Sequence, residues 1–273
     1  MPQKETMQLA VFGDSYADSN NHIEFGQGWL HYLCELNDWD VSVDTLQTGL
    51  SGAGNWWSYT QFRNALDCYM IKNAVFVITD TGRLPIAKLR GGITPSASYL
   101  ANMYDIIKDS GMEPLFGPEA AFNEYQVIEM WRDVFTDGGP YELLEWINVS
   151  CMKECLLLAE EHNINYTVVV PFDNSIESYS AILQPEHQQI ITCVDNVSLD
   201  EMQLNDATVQ GIDWIGSCYD TRTNHLNNHN NKILAAEINQ GLMGRNGIFD
   251  FSERDDLDTS AETISLYGNI LFK

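Results

Sequence analysis

Five consecutive apolar residues, Ala74-Val75-Phe76-Val77-Ile78, constrain the fold of this chain more than any other stretch. A run that short and that apolar fits a strand in a parallel sheet covered by helices on both faces, because neither face then meets water. Tyr166-Thr167-Val168-Val169-Val170, halted by Pro171, reads the same way. So does the mostly apolar run from Thr6 to Phe12. Val41 to Leu46 alternates apolar and polar residues and predicts a further strand. Helical spacing fills the intervals. Gly26 to Leu36 places Trp29, Leu33 and Leu36 on one face, and Trp57 to Met70 has a broken helical pattern. Tyr141 to Glu161 reads as a long amphipathic helix. Leu226 to Gly241, carrying Ile233, Leu234, Ala236 and Ile238, reads as the helix that ends the core. Residues 172–210 are polar and carry no clear period. Strands alternating with helices predict an α/β fold, a three-layer, doubly wound parallel sheet.

From Leu84 to about Gly139 the pattern changes. Pro85, Pro95, Pro114, Pro118 and Pro140 punctuate it, with helical stretches at about Ala97–Asp109 and Asn123–Phe135 between them. This predicts a helical insertion at 84–139, packed over the sheet as a lid or a partner-binding surface, within one domain spanning 1–273. A chain of 273 residues is long enough to bury a sizeable core.

Charge excludes some partners. Lys and Arg number 14 against 39 Asp and Glu, a formal net charge of −25. Such a chain repels a nucleic-acid backbone and an anionic membrane alike. The first residues, Met-Pro-Gln-Lys-Glu-Thr, are polar, and no 18-residue apolar run follows, so the expectation is a soluble, cytoplasmic protein. The sequons at Asn148, Asn165 and Asn196 are then coincidental. Six cysteines are spread without a Cys-x-x-Cys pair, which predicts free, mostly buried thiols.

The chemistry-bearing residues gather at the ends of the predicted strands. The first strand runs into Gly13-Asp14-Ser15, and the carboxyl edge of an α/β sheet is where such folds place their ligands. A serine hydroxyl becomes a useful nucleophile only when a base takes its proton. The second strand leads into Thr48-Gly49-Leu50-Ser51-Gly52-Ala53-Gly54-Asn55, whose glycines allow backbone N–H groups close to a ligand. The third ends in Thr79-Asp80-Thr81-Gly82-Arg83. Late in the chain comes Tyr219-Asp220-Thr221-Arg222-Thr223-Asn224-His225, ahead of the last helix. His225 there can reach the same edge as Ser15 and act as its base, with Asp220 near enough in sequence to orient the imidazole.

This order of blocks resembles the GDSL/SGNH hydrolases, over the sheet-forming parts of the chain, roughly residues 6–83 and 140–240. The resemblance implies a flavodoxin-like SGNH sheet and a serine esterase. Ser15 matches the nucleophile, and its own N–H joins the oxyanion hole. Gly52 matches the second-block glycine donor, and His225 the base. Asp14, Asn55 and Arg83 are candidate substrate contacts. Two departures stand out. The family's third block reads Gly-x-Asn-Asp, whereas Thr81 stands here in the place of the asparagine. Losing one oxyanion donor typically costs ~10²–10³ in turnover, which Thr81 or Arg83 would have to offset. The residue three before His225 is Arg222 and not the family's aspartate, leaving Asp220 as orienter or a Ser–His dyad.

The implied function is cleavage of carboxylic esters, O-acetyl groups on a carbohydrate among them, with transfer of the acyl group to a sugar as a variant. No cofactor is implied. The rival is a catalytically weak or inactive scaffold kept for binding or structure, such as a virion or surface component. His225 and His229 have the spacing of two zinc ligands on a helix but lack the glutamate of His-Glu-x-x-His, so no metal is expected. His22, His31, His162 and His187 are expected to be structural or exposed. Trp56 and Trp57 suit either core packing or the wall of an acyl or sugar pocket.

Overall fold

The structure is a computed structural model, and it describes residues 4–14, 16–17, 28–50, 53–83, 141–171, 173–194, 226 and 228–257. Its elements, in chain order, are β1 (Glu5–Met7), β2 (Leu9–Phe12), α1 (Trp29–Leu36), β3 (Thr45–Gln47), α2 (Asn55–Cys68), β4 (Tyr69–Ile71) and β5 (Asn73–Val77). There follow α3 (Tyr141–Glu161), β6 (Asn165–Val170), α4 (Asp173–Tyr179), β7 (Gln189–Thr192), α5 (Asn228–Leu242) and β8 (Gly247–Asp250). A short 3₁₀ turn at Phe251–Glu253 comes after β8. The predicted insertion at 84–139 lies outside the described residues.

Six strands form one sheet in the order β3-β2-β5-β6-β7-β8, every neighbouring pair parallel. The apolar runs lie in its middle, as a parallel sheet covered on both sides requires. Side chains alternate between the faces. Leu9, Val11, Val75, Val77, Val169 and Ile191 pack under α1 and α5. Ala10, Phe12, Ala74, Phe76, Val168, Val170 and Ile190 pack under α2 and α3. On that second face Phe12, Phe62 and Phe76 meet with ring centroids 5.0–5.6 Å apart. The helix–sheet–helix layering predicted above is therefore what the chain adopts.

Strand order places the site. From β2 the chain steps outward to β3, then returns past β2 to build the rest of the sheet from β5. The reversal falls between β2 and β5, and the carboxyl ends of the strands at such a reversal are where doubly wound sheets bind ligands. Gly13 and Thr79 begin the loops there.

Several local expectations shift. The run from Thr6 to Phe12 breaks at Gln8. Glu5–Met7 pairs separately with β4, and only Leu9–Phe12 enters the main sheet. The strand expected over Val41–Leu46 is confined to Thr45–Gln47, because Asp40 captures the preceding residues. Its carboxylate accepts from the Ser42 N–H at 2.8 Å and the Ser42 hydroxyl at 2.6 Å, closing a turn instead of extending a ladder. In α5 the buried alanine is Ala235, and Ala236 faces outward. That helix does not end the core, since β8 follows it on the sheet edge. Trp56 and Trp57 are half-buried at the start of α2.

Candidate active site at the carboxyl edge of the sheet

Gly13 makes the exit from β2 possible. Its φ is +153°, and a Cβ there would lie 2.6 Å from the Val77 Cβ and 2.9 Å from the Ala17 Cβ. Only glycine lets the chain turn this close against β5. Asp14 follows at 0 % exposure. One of its carboxylate oxygens accepts from the Tyr16 N–H at 3.1 Å. The other faces the Arg83 guanidinium at 3.1 Å and accepts from the Thr79 hydroxyl at 3.2 Å. Arg83 also donates to the Ala53 carbonyl at 3.0 Å, so one guanidinium ties the loop after β5 to the loops after β2 and β3. The Leu50 N–H donates to the Gly13 carbonyl at 3.1 Å, a second tie between those loops.

A buried polar cluster supports this edge from the α2–α3 side. Asn55, at 0 % exposure, accepts from the Thr79 N–H at 3.2 Å and donates to the Tyr179 hydroxyl at 2.5 Å. Tyr179 in turn donates to the Thr79 carbonyl at 3.1 Å. Burial pushes the Tyr179 phenol well above its ordinary range, with the nearby Asp80 charge adding to the effect, so the hydroxyl keeps the proton it donates. Asn148 projects from the inward face of α3, which also buries Leu144, Met152 and Cys155. Its amide group donates to the Thr81 and Arg83 carbonyls, each at 2.9 Å, and its oxygen accepts from the Asn55 N–H at 3.1 Å. The last bond satisfies one of the N-terminal donors that α2 cannot pair internally. Asn148 is 1 % exposed, which removes it as a glycosylation site.

The opposite side is held by α1 and α5. The Trp29 indole N–H donates to the Tyr16 carbonyl at 2.7 Å. The Trp29 backbone N–H donates to the Asn231 side-chain oxygen at 3.1 Å, and the Asn231 amide donates to the Leu226 carbonyl at 2.9 Å.

Ser15, Gly52, Asp220 and His225 lie outside the described residues. Asp14 and Tyr16 beside Ser15, Ala53 beside Gly52 and Leu226 beside His225 are described, and a continuous series of polar contacts joins them. It runs from Ala53 through Arg83 and Asp14 to Tyr16, then through Trp29 and Asn231 to Leu226. Asp14 and Asn55, expected to touch substrate, are instead enclosed supports whose polar atoms are taken up by protein groups. Arg83 is engaged by Asp14 and Ala53 and sits with them as a clamp. Thr81 is half-buried, with its carbonyl held by Asn148. The sequence alone assigns no site role to Asn148, Tyr179, Trp29 or Asn231, and offers Thr79 only as a further donor in the loop after the third strand. An asparagine on the inward face of an amphipathic helix, as at Asn148, was the one available signal.

Among the described residues no group of three or more His, Cys, Asp or Glu side chains is placed to hold a metal ion. His229 contacts the Asp256 carbonyl at 2.7 Å and is exposed. No helix of the described residues is long and apolar enough to cross a membrane.

No protein-family model matches the chain, and no curated protein matches it in sequence. Among solved structures it is similar to a protein from Desulfitobacterium hafniense DCB-2 described as a lipolytic protein of the G-D-S-L family. That likeness has 12 % identity and a TM-score of 0.41, over 86 % of this chain and 99 % of that one. It is also similar to a catalytic mutant of an acetylxylan esterase from Geobacillus stearothermophilus, at 14 % identity and a TM-score of 0.25, over 68 % of this chain and 85 % of that one.

Proposed function

We propose that this chain is a serine hydrolase of carboxylic esters, with Ser15 as the nucleophile and His225 as its base. The observation that carries the reading is the series of contacts linking the chain neighbours of Ser15, Gly52 and His225. Hydrogen bonds and one ion pair join described residues from three segments far apart in sequence, which supports this reading.

In the proposed reaction the Ser15 hydroxyl oxygen attacks the ester carbonyl carbon while His225 takes the hydroxyl proton. The N–H groups of Ser15 and Gly52 hold the oxygen that becomes negative, and Thr81 adds a third donor. As the tetrahedral species collapses, the carbon–alcohol bond breaks and imidazolium returns its proton to the leaving alcohol. Water then repeats the sequence on the acyl-serine, releasing the acid and the free serine. Asp220 steadies the imidazolium. Arg83, Asp14, Asn55 and Asn148 make none of these contacts; they keep the loops from drifting. As substrate we favour an O-acetylated carbohydrate, with the half-buried Trp56 and Trp57 offering ring surface to a sugar.

The test is turnover of p-nitrophenyl acetate by wild type, Ser15→Ala and His225→Ala. The reading expects both variants to fall to background while remaining folded. Equal rates in wild type and Ser15→Ala would dispose of it.

A further inference from the structure

We infer that Trp29 and Asn231 are positioning residues that set the spacing between nucleophile and base, an inference that rests on the reading of Ser15 and His225 above. Trp29 is the first residue of α1, and the Gly28 before it has no side chain to cap the helix. Its backbone N–H is one of the donors a helix start leaves unpaired, and Asn231 of α5 accepts it. Asn231 has one acceptor group and one donor group to distribute. The backbone N–H of Trp29 fixes where the oxygen lies, so the amide must point the other way, and it meets the carbonyl of Leu226, one peptide from His225. The Trp29 indole makes the matching bond on the other side, to the carbonyl of Tyr16, one peptide from Ser15.

Tyr16, Trp29, Leu226 and Asn231 are all buried, so water does not compete for these bonds. The α1–α5 interface does not need them for adhesion, since Leu30, Leu33, Leu234 and Ile238 supply apolar packing. Two side chains thus fix two loop carbonyls relative to one helix end. A shift of about 1 Å in a reacting group can cost ~10²-fold in rate, which makes such a bracket consequential.

Two near-isosteric variants separate positioning from folding. Trp29→Phe keeps an aromatic ring and removes the indole donor. Asn231→Asp keeps an oxygen for the Trp29 N–H, at a helix start where negative charge is favourable, and removes the donor to Leu226. Each is assayed for p-nitrophenyl acetate turnover, fluorophosphonate labelling of Ser15 and thermal melting. The bracket predicts that kcat and the labelling rate fall roughly 10- to 100-fold while KM is unchanged and each variant melts cooperatively above the assay temperature. In ¹⁵N-labelled wild type, the Trp29 indole resonance is expected to shift when the adduct forms. Wild-type kcat and labelling rates in both variants would overturn the bracket and leave the Ser15 reading standing. So would a rate loss that merely tracks unfolding, with the indole resonance unmoved. Folded wild type that is not labelled at all would overturn both.

Discussion

The carboxylate of Asp14 is out of water and answered on every side by protein: Arg83, the Thr79 hydroxyl and the Tyr16 N–H. Removing one partner of such a pair strands the other charge, so Arg83→Ala is expected to destabilise the fold by about 3–5 kcal/mol in urea denaturation. Wild-type stability in that variant would mean that Asp14 had found water. Tyr179 carries a similar duty without a charge. Tyr179→Phe leaves the Thr79 carbonyl and an Asn55 N–H unanswered in the interior, a loss of about 1–3 kcal/mol readable in the same experiment. Residues of this kind were the least legible in the sequence. Gly-Asp-Ser announces itself as a motif, but nothing in the spelling distinguishes an aspartate that contacts a ligand from one enclosed by an arginine 69 positions later (83 − 14). That distinction depends on which loops the sheet order brings together.

Legibility improves at the scale of elements, and only for the central ones. The α3 helix runs from Tyr141 to Glu161 as its spacing predicted, and β5 and β6 follow their apolar runs to within a residue. Strands β7 and β8 were missed. Gln189 and Thr192 flank only two apolar residues in β7, and β8 lies at the sheet edge with Ile248 exposed, so neither spells a fully apolar run. The turn from β2 into the site tests the link between element and chemistry. A Cβ at Gly13 would collide with Val77 and the positive φ adds strain, so Gly13→Ala should cost about 3 kcal/mol, of which backbone strain is ~1–3. The thermal melt measures the loss. An alanine variant as stable as wild type would show that β2 leaves the sheet by another path.

For the whole molecule the governing quantity is a net charge of −25. Like charges spread over one surface repel and weaken the compact state, and salt screens them over about 10 Å at 0.1 M. The melting temperature should therefore rise as sodium chloride is added from low ionic strength, before any ion-specific effect. A flat or falling curve would mean that the acidic residues are already balanced locally, as Glu237 is by Arg245 and Arg254. On the proposed reading, the same acidity favours neutral esters over anionic ones as substrates. On that reading, the doubly wound sheet, its reversal between β3 and β5, and the loops gathered there serve as a scaffold for one serine. The most direct measurement is a fluorophosphonate reaction followed by mass spectrometry of the intact chain and of its peptides. The account predicts a single adduct, mapped to Ser15, absent from Ser15→Ala and slowed in His225→Ala. A folded chain that takes up no probe, or one whose adduct persists in Ser15→Ala, would contradict it.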